Sequence, residues 1–216
     1  MRIYRDRKPL FLVVATIFFS SPLLFAQVDP IATERPTQSI GSLVLPANSF
    51  QFEQGFTFTD TVVLDGFFRL GISELGEIRL LTYYDSPLVT VGAKVKLLKA
   101  KNYRPGIALK LDITGGRVTD YRVAILQKIS ARFSATLNLG YGQQFYGILA
   151  IGYGFADKFG VFLEGYFENA YTQFNTGLTF ALNSETQLDV TAGLMDMDQG
   201  YVGVGVARRF LFKKDN

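Results

Sequence analysis

The sequence predicts an all-β protein: an antiparallel up-and-down transmembrane β-barrel of about twelve strands, preceded by a cleavable signal peptide. Three observations carry this expectation. From about residue 50 to residue 212 one unit repeats, roughly ten residues of alternating apolar and polar side chains followed by a turn. The N-terminus has the layout of an export signal. Hydrophobic residues make up 48% of the 216 residues, yet no apolar run after Ala26 is long enough for a spanning helix. A strand sends alternate side chains to opposite faces. Ten residues at about 3.3 Å rise and about 45° tilt cross roughly one bilayer core, and a sheet in lipid must close on itself to pair its backbone.

The first element is the signal. Arg2, Arg5, Arg7 and Lys8 form a basic head, Leu10 to Phe19 is apolar apart from Thr16, and Leu24-Phe25-Ala26 closes the segment with a small residue. This places cleavage after Ala26. A membrane anchor is the competing reading, but the apolar stretch is short of about 20 residues and Pro22 interrupts it. The formal net charge of +3 comes from this segment, because removing residues 1–26 leaves 18 basic and 18 acidic residues. A basic patch for nucleic acid is therefore not expected. Cysteine is absent, which excludes a disulfide framework and thiol chemistry.

Residues 27–48 differ from all that follows. Pro30, Pro36 and Pro46 fall within them, alternation is lost, and Thr33-Glu-Arg-Pro-Thr-Gln38 is polar. They read as a periplasmic arm, a plug segment tucked into the barrel mouth, or a disordered leader.

The barrel is expected over 49–212, with 213–216 as a C-terminal tail. Strands are predicted near 49–59, 61–72, 76–85, 88–98, 104–114, 120–130, 132–142, 144–155, 158–168, 170–182, 185–194 and 200–212. Turn signals separate them: Thr59-Asp-Thr61, Asp85-Ser-Pro87, Gly115-Gly116, Ala156-Asp-Lys158, Asn183-Ser-Glu185 and Asp196-Met-Asp-Gln-Gly200. Apolar stripes mark the outward faces: Val89, Val91, Ala93, Val95 and Leu97; then Ile107, Leu109, Leu111 and Ile113; then Phe133, Ala135, Leu137 and Leu139. A water-soluble β-sandwich would show the same alternation with its faces reversed. Very short, evenly spaced turns favour a closed meander, and 20 Phe with 11 Tyr suit lipid contact and interfacial girdles. The closing segment Tyr201 to Phe210 keeps the Gly205–Phe210 spacing of the C-terminal signal read by the barrel assembly machinery. Arg208 replaces its aromatic residue, however, and the chain runs on to Asn216.

Three stretches resemble the MetA-pathway of phenol degradation family of outer-membrane transporter-like proteins. One is Thr33-Glu-Arg-Pro-Thr-Gln38 with Leu45-Pro46 and Ser49-Phe-Gln-Phe-Glu-Gln-Gly55, similar to the family's Thr-Asp-Arg-Pro opening and a first strand carrying Glu. The second is Phe68 to Arg79, similar to its second hairpin. The third runs from Val91-Gly-Ala-Lys94 through Arg104-Pro105 and Ala108-Leu109 to Thr114-Gly115-Gly116. Glu34 stands where the family usually has Asp. The resemblance implies an outer-membrane barrel associated with the uptake of aromatic compounds.

Catalysis finds little support. Barrel hydrolases and acyltransferases generally use a His base, and the chain has no His. Gly140-Tyr-Gly142 and Gly152-Tyr-Gly154 lack the Lys and following helix of a phosphate loop. Asp196 and Asp198 read as a solvated loop, so neither metal nor cofactor is expected. What remains is an interior charge array. Asp65, Arg69, Glu77 and Arg79 lie on one hairpin and are expected near one another. Lys94, Lys96, Lys110, Asp112, Arg122, Lys128 and Arg132 continue a mostly basic wall, and Glu164, Glu168 and Asp189 an acidic one. Two readings stand: an asymmetric pore that steers polar solutes, or a salt-bridged, filled lumen. The expected function is passive passage of small molecules across the outer membrane, with membrane lipid, the assembly machinery and a small solute as partners. A non-conducting structural barrel is the alternative, and a barrel enzyme the weaker one.

Overall fold

Strands form wherever the period-two pattern holds, and the turns between them are short enough that each strand pairs with the next. The computed structural model describes residues 31–101 and 103–212. The expected signal peptide, residues 27–30 and the 213–216 tail lie outside them. The described strands are β1 (Ser49–Phe58), β2 (Val62–Gly71), β3 (Gly76–Tyr83), β4 (Val89–Leu98), β5 (Gly106–Thr114), β6 (Arg117–Lys128), β7 (Phe133–Tyr141), β8 (Phe145–Ala156), β9 (Phe159–Glu168), β10 (Tyr171–Asn183), β11 (Thr186–Met195) and β12 (Gln199–Leu211). Every neighbouring pair is antiparallel, and β1 pairs with both β2 and β12, so the twelve described strands make a closed barrel. The fold class is the one predicted.

Two boundaries moved for identifiable reasons. β6 begins at Arg117 instead of near 120 because Gly115 and Gly116 both take positive φ (58° and 76°), which completes a two-residue hairpin turn. β5 begins at Gly106, one residue beyond Pro105, which has no N–H for the ladder.

Because β1 and β12 lie side by side, Ser49 and Leu211 mark one end of the barrel, here the terminal end; the other is the distal end. Turns at both ends are short, so no described distal loop is long enough to fold back over the opening.

The two faces separate by chemistry. Val91, Leu149, Leu163, Leu178 and Val190 point outward and are about half exposed. Phe155, Phe159 and Phe180 form a contacting row near the terminal end, with ring centroids 5.9 and 4.6 Å apart. Tyr141–Phe145 and Phe167–Phe174 do the same near the distal end, at 4.8 and 5.8 Å. The inner face is polar and buried, with Glu53, Arg69, Glu77 and Lys94 all at or below 1% exposure.

Residues 31–48 run inside this wall without joining its sheet. They turn into β1 beside the end of β2, where the Asn48 N–H donates to the Gly71 carbonyl at 3.0 Å and Asn48 takes φ 56°. A Cβ on Gly71 would lie 1.9 Å from the Pro46 carbonyl oxygen. Gly71→Ala should therefore force this bend off the wall at a cost of about 1–3 kcal/mol. The expected result is a lower temperature at which the folded band disappears from a denaturing gel; an unchanged midpoint would contradict the close packing.

Candidate functional site

Among the described residues, three of the interior ion-pair clusters bear most on the site, two of them centred on residues of the 31–48 segment. Glu34 is the middle of the first. Its carboxylate pairs with Arg79 and Lys94, and Arg69 Nη2 lies 3.6 Å away. Arg69 also reaches Glu77 at 2.8 Å and Glu53 at 3.2 Å, and donates to the Ala32 carbonyl at 2.6 Å. Glu53 accepts the N–H groups of Glu34 and Arg35, each at 2.9 Å. Burial opposes charge on Glu34, but Arg79, Lys94 and Arg69 outweigh it and hold the carboxyl well below the usual glutamate range.

Arg35 makes the second cluster. Its Nη1 donates to both oxygens of Asp65 at 2.8 Å, and its Nη2 lies 3.9 Å from Asp189. Burial works against the guanidinium charge, and Asp65 and Asp189 more than offset it, so its pKa is raised. The third cluster belongs to the wall. Lys110 pairs with Asp112 and, at 2.6 Å, with Asp120. Arg122 lies 3.1 Å from Asp120, and its Nε donates to the Tyr146 hydroxyl at 2.6 Å. Tyr146 stacks on Tyr166 at 5.4 Å, and Tyr166 meets Tyr171 edge-on at 5.8 Å, which gives the distal half of the lumen an aromatic strip.

Beyond Arg35 the segment is held by its backbone. Glu164 accepts the N–H of Gln38 at 2.6 Å and of Ser39 at 2.7 Å. Asn138 accepts from the Ile40 N–H at 2.7 Å and donates to its carbonyl at 2.9 Å, a side-chain imitation of a strand partner. Glu77 accepts the Leu45 N–H at 2.8 Å, and Arg122 donates to the Gln38 carbonyl at 2.8 Å. Ile40 packs on Ala108 and Ala124, two small residues that leave it room.

The structure thus places the predicted residues unevenly. Arg69, Glu77, Arg79 and Lys94 come together, whereas Asp65 lies in the Arg35 cluster with Asp189, apart from its expected neighbours. Lys110, Asp112 and Arg122 form their own group. Glu164 faces backbone N–H groups rather than a cation, and Glu168 accepts from the Tyr166 hydroxyl at 2.7 Å. Lys96 is half-buried. Two expected lumen residues are exposed at the terminal end of the barrel. Arg132 sits exposed in the β6–β7 turn, because β7 starts only at Phe133, and Lys128 is exposed as the last residue of β6, where its chain reaches water.

Sequence reasoning missed Glu34, Arg35 and Gln38 as lumen residues, and Glu53 and Asp120 on the wall. A signal for the segment was present in the wall's glycines. A glycine inside a strand marks close approach of another group, and a Cβ on Gly55 would lie 1.8 Å from Arg35 Nη1.

The barrel is similar to that of the KdgM porin, with a TM-score of 0.63 at 12% identity over 74% of this chain and 99% of that one. A KdgM porin in complex with disordered oligogalacturonate gives the same values. The Acinetobacter baumannii outer membrane protein Omp33 aligns over 75% of this chain and 97% of its own at 11% identity, with a TM-score of 0.47. No protein-family model and no curated protein matches the chain. At such identity the likeness to KdgM shows the fold, a closed porin-like barrel of twelve antiparallel strands.

Proposed function

We propose that the chain is an outer-membrane channel that passes small molecules down their gradients and is closed at rest by residues 31–48. The observation that carries this is how the segment is held. It crosses the lumen on side-chain ion pairs and hydrogen bonds and adds no strand to the sheet. A segment built into the sheet would be a permanent part of the wall; one held by polar side chains can leave and dock again.

The apolar outer face and its two aromatic rows support lipid contact. An even strand number puts both termini on one side, the periplasm in such barrels, so the distal tyrosines face the outside. For solute, the resemblance to the phenol-degradation family favours aromatic compounds, and the Tyr146–Tyr166–Tyr171 strip offers ring surfaces to them. KdgM has been seen with an oligogalacturonate, but the interior here carries both signs interleaved, which does not favour a polyanion. The same filled lumen also supports a second reading, a non-conducting structural barrel. An enzyme is disfavoured by the absence of any His base.

Planar-bilayer recording separates these readings. The wild type should show rare, small conductance steps, and Arg79→Ala, which removes a cation facing Glu34, should raise conductance and shift selectivity toward cations. Absence of steps from both proteins, with no solute leakage from liposomes, would reject the channel. A protein that stays soluble without detergent and shows no heat-dependent gel shift would reject the membrane barrel itself.

A further inference from the structure

Four interior positions fall in one row across the β1–β12 closure. Asp65 is opposite Gly55, Gly55 is opposite Gly205, and Gly205 is opposite Asp189. Neighbouring strands lie about 4.8 Å apart, so the row is a floor of two residues without side chains, with a carboxylate at each edge. The floor is in use. A Cβ on Gly55 would sit 1.8 Å from Arg35 Nη1, and one on Gly205 would sit 2.8 Å from Arg35 Nε and 2.7 Å from both Asp189 oxygens. The Arg35 guanidinium therefore lies on the glycines between the two carboxylates.

The slot is not fully satisfied by its occupant. Arg35 gives Asp65 two contacts at 2.8 Å, but its nearest approach to Asp189 is 3.9 Å. Asp189 is 4% exposed, and among the described residues neither of its oxygens accepts a hydrogen bond. Two buried carboxylates thus share one cation, and a buried carboxylate without a hydrogen bond is costly. One residue along the segment, the Glu34 carboxylate sits among Arg69, Arg79 and Lys94. The wall presents two adjoining receptors, one for a planar cation and one for a carboxylate.

We propose that the Asp65–Gly55–Gly205–Asp189 row and the Arg69–Arg79–Lys94 cluster form one recognition site for small solutes that bear both a guanidinium and a carboxylate, with arginine as the simplest. The chain's own Glu34 and Arg35 are its resident occupants. A flat floor between two carboxylates suits a planar fork of donors better than a compact ammonium. A solute with one charge leaves the other receptor uncompensated, so both groups are needed for tight binding. The site rests on the reading that residues 31–48 can leave the wall, and a solute that takes their place would hold the lumen in its unplugged state.

The experiment is calorimetric titration in detergent of the full chain carrying Glu34→Gln and Arg35→Gln, which removes the resident charges and leaves the wall intact. L-Arginine should bind at least tenfold more tightly than to the wild type. Agmatine, which lacks the carboxylate, and citrulline, which lacks the charged guanidinium, should each bind at least tenfold more weakly than arginine. Adding Asp189→Asn should abolish the difference. No arginine binding, or equal binding of all three compounds, would overturn the proposal. If the double variant does not fold, Asp189→Asn in the otherwise wild-type chain decides. A site for solutes predicts loss of the stabilisation that added arginine gives the wild type, read as the shift between midpoints with and without arginine. An arginine-induced shift as large in Asp189→Asn as in the wild type overturns the proposal. Because binding in detergent needs no conductance, arginine binding without bilayer steps would reject the channel while leaving the site standing.

Discussion

Glu34→Ala is expected to turn a closed barrel into an open one. The side chain gives three buried cations, Arg69, Arg79 and Lys94, the partner that they share on the segment. Without it the carboxylates that those cations reach among the described residues are Glu53 and Glu77. Removing one member of a buried ion pair typically costs about 3–5 kcal/mol, because the remaining charge stays desolvated. The loss falls on the docked state alone, since water solvates the wall cations once the segment leaves. At about 1.4 kcal/mol per factor of ten, the docking equilibrium shifts by roughly two to four powers of ten. The measurement is open probability in planar bilayers, with the heat-dependent gel shift as the check that the barrel is intact. Glu34→Gln, which keeps shape and loses charge, should fall between. An intact barrel whose open probability matches the wild type would show that Glu34 does not hold the segment.

The second large effect is expected at Glu164. One carboxylate oxygen accepts from Gln38 N–H and Asn175 Nδ2, the other from Ser39 N–H. Gln38 and Ser39 are 4% and 1% exposed, so Glu164→Ala leaves two buried donors without a partner. Each such donor costs about 1–3 kcal/mol, or about 2–6 kcal/mol together. Hydrogen–deuterium exchange reads this directly. The amides of Gln38 and Ser39 should exchange at least a hundredfold faster in the variant, while strand amides of β8 and β9 keep their protection. Unchanged exchange at both residues would mean that other contacts hold this stretch. Glu164→Gln retains an acceptor and should show a smaller increase.

The barrel was legible in the sequence because its signal is local and periodic. Val91, Ala93 and Val95 face outward and Lys94 inward as a direct result of the two-residue repeat, and the turn residues between strands restrict where each strand can end. Errors arose where the repeat meets a turn. Arg132 continues the alternation of β7 on paper, yet it lies in the turn before Phe133, where its N–H donates to the Ser130 hydroxyl instead of to a strand. The interior was legible in parity but not in pairing. Asp65 and Arg69 share a face, but which partner each takes depends on a segment that has no period at all. Contacts such as Ile40 with Asn138 or Gln38 with Glu164 join residues about a hundred positions apart, and nothing in the local pattern of either end points to the other. The adjacent Glu34 and Arg35 carried the missing information, and their meaning emerges only once the wall charges surround them.

The glycine row has a consequence for how the molecule is made. Gly55 belongs to the first strand and Gly205 to the last, and they become neighbours only when β1 and β12 join. Until then the slot for Arg35 does not exist, and Asp65 and Asp189 sit at opposite edges of an open sheet. Arg35 contacts one carboxylate on each side of that seam, so it bridges the final joint of the barrel from within. Arg35 therefore cannot seat itself in a partly assembled sheet. Once seated, it adds a lateral clasp across the joint between the first and last strands. Closure of the sheet comes first and the seating of Arg35 follows, an order written into where two glycines fall.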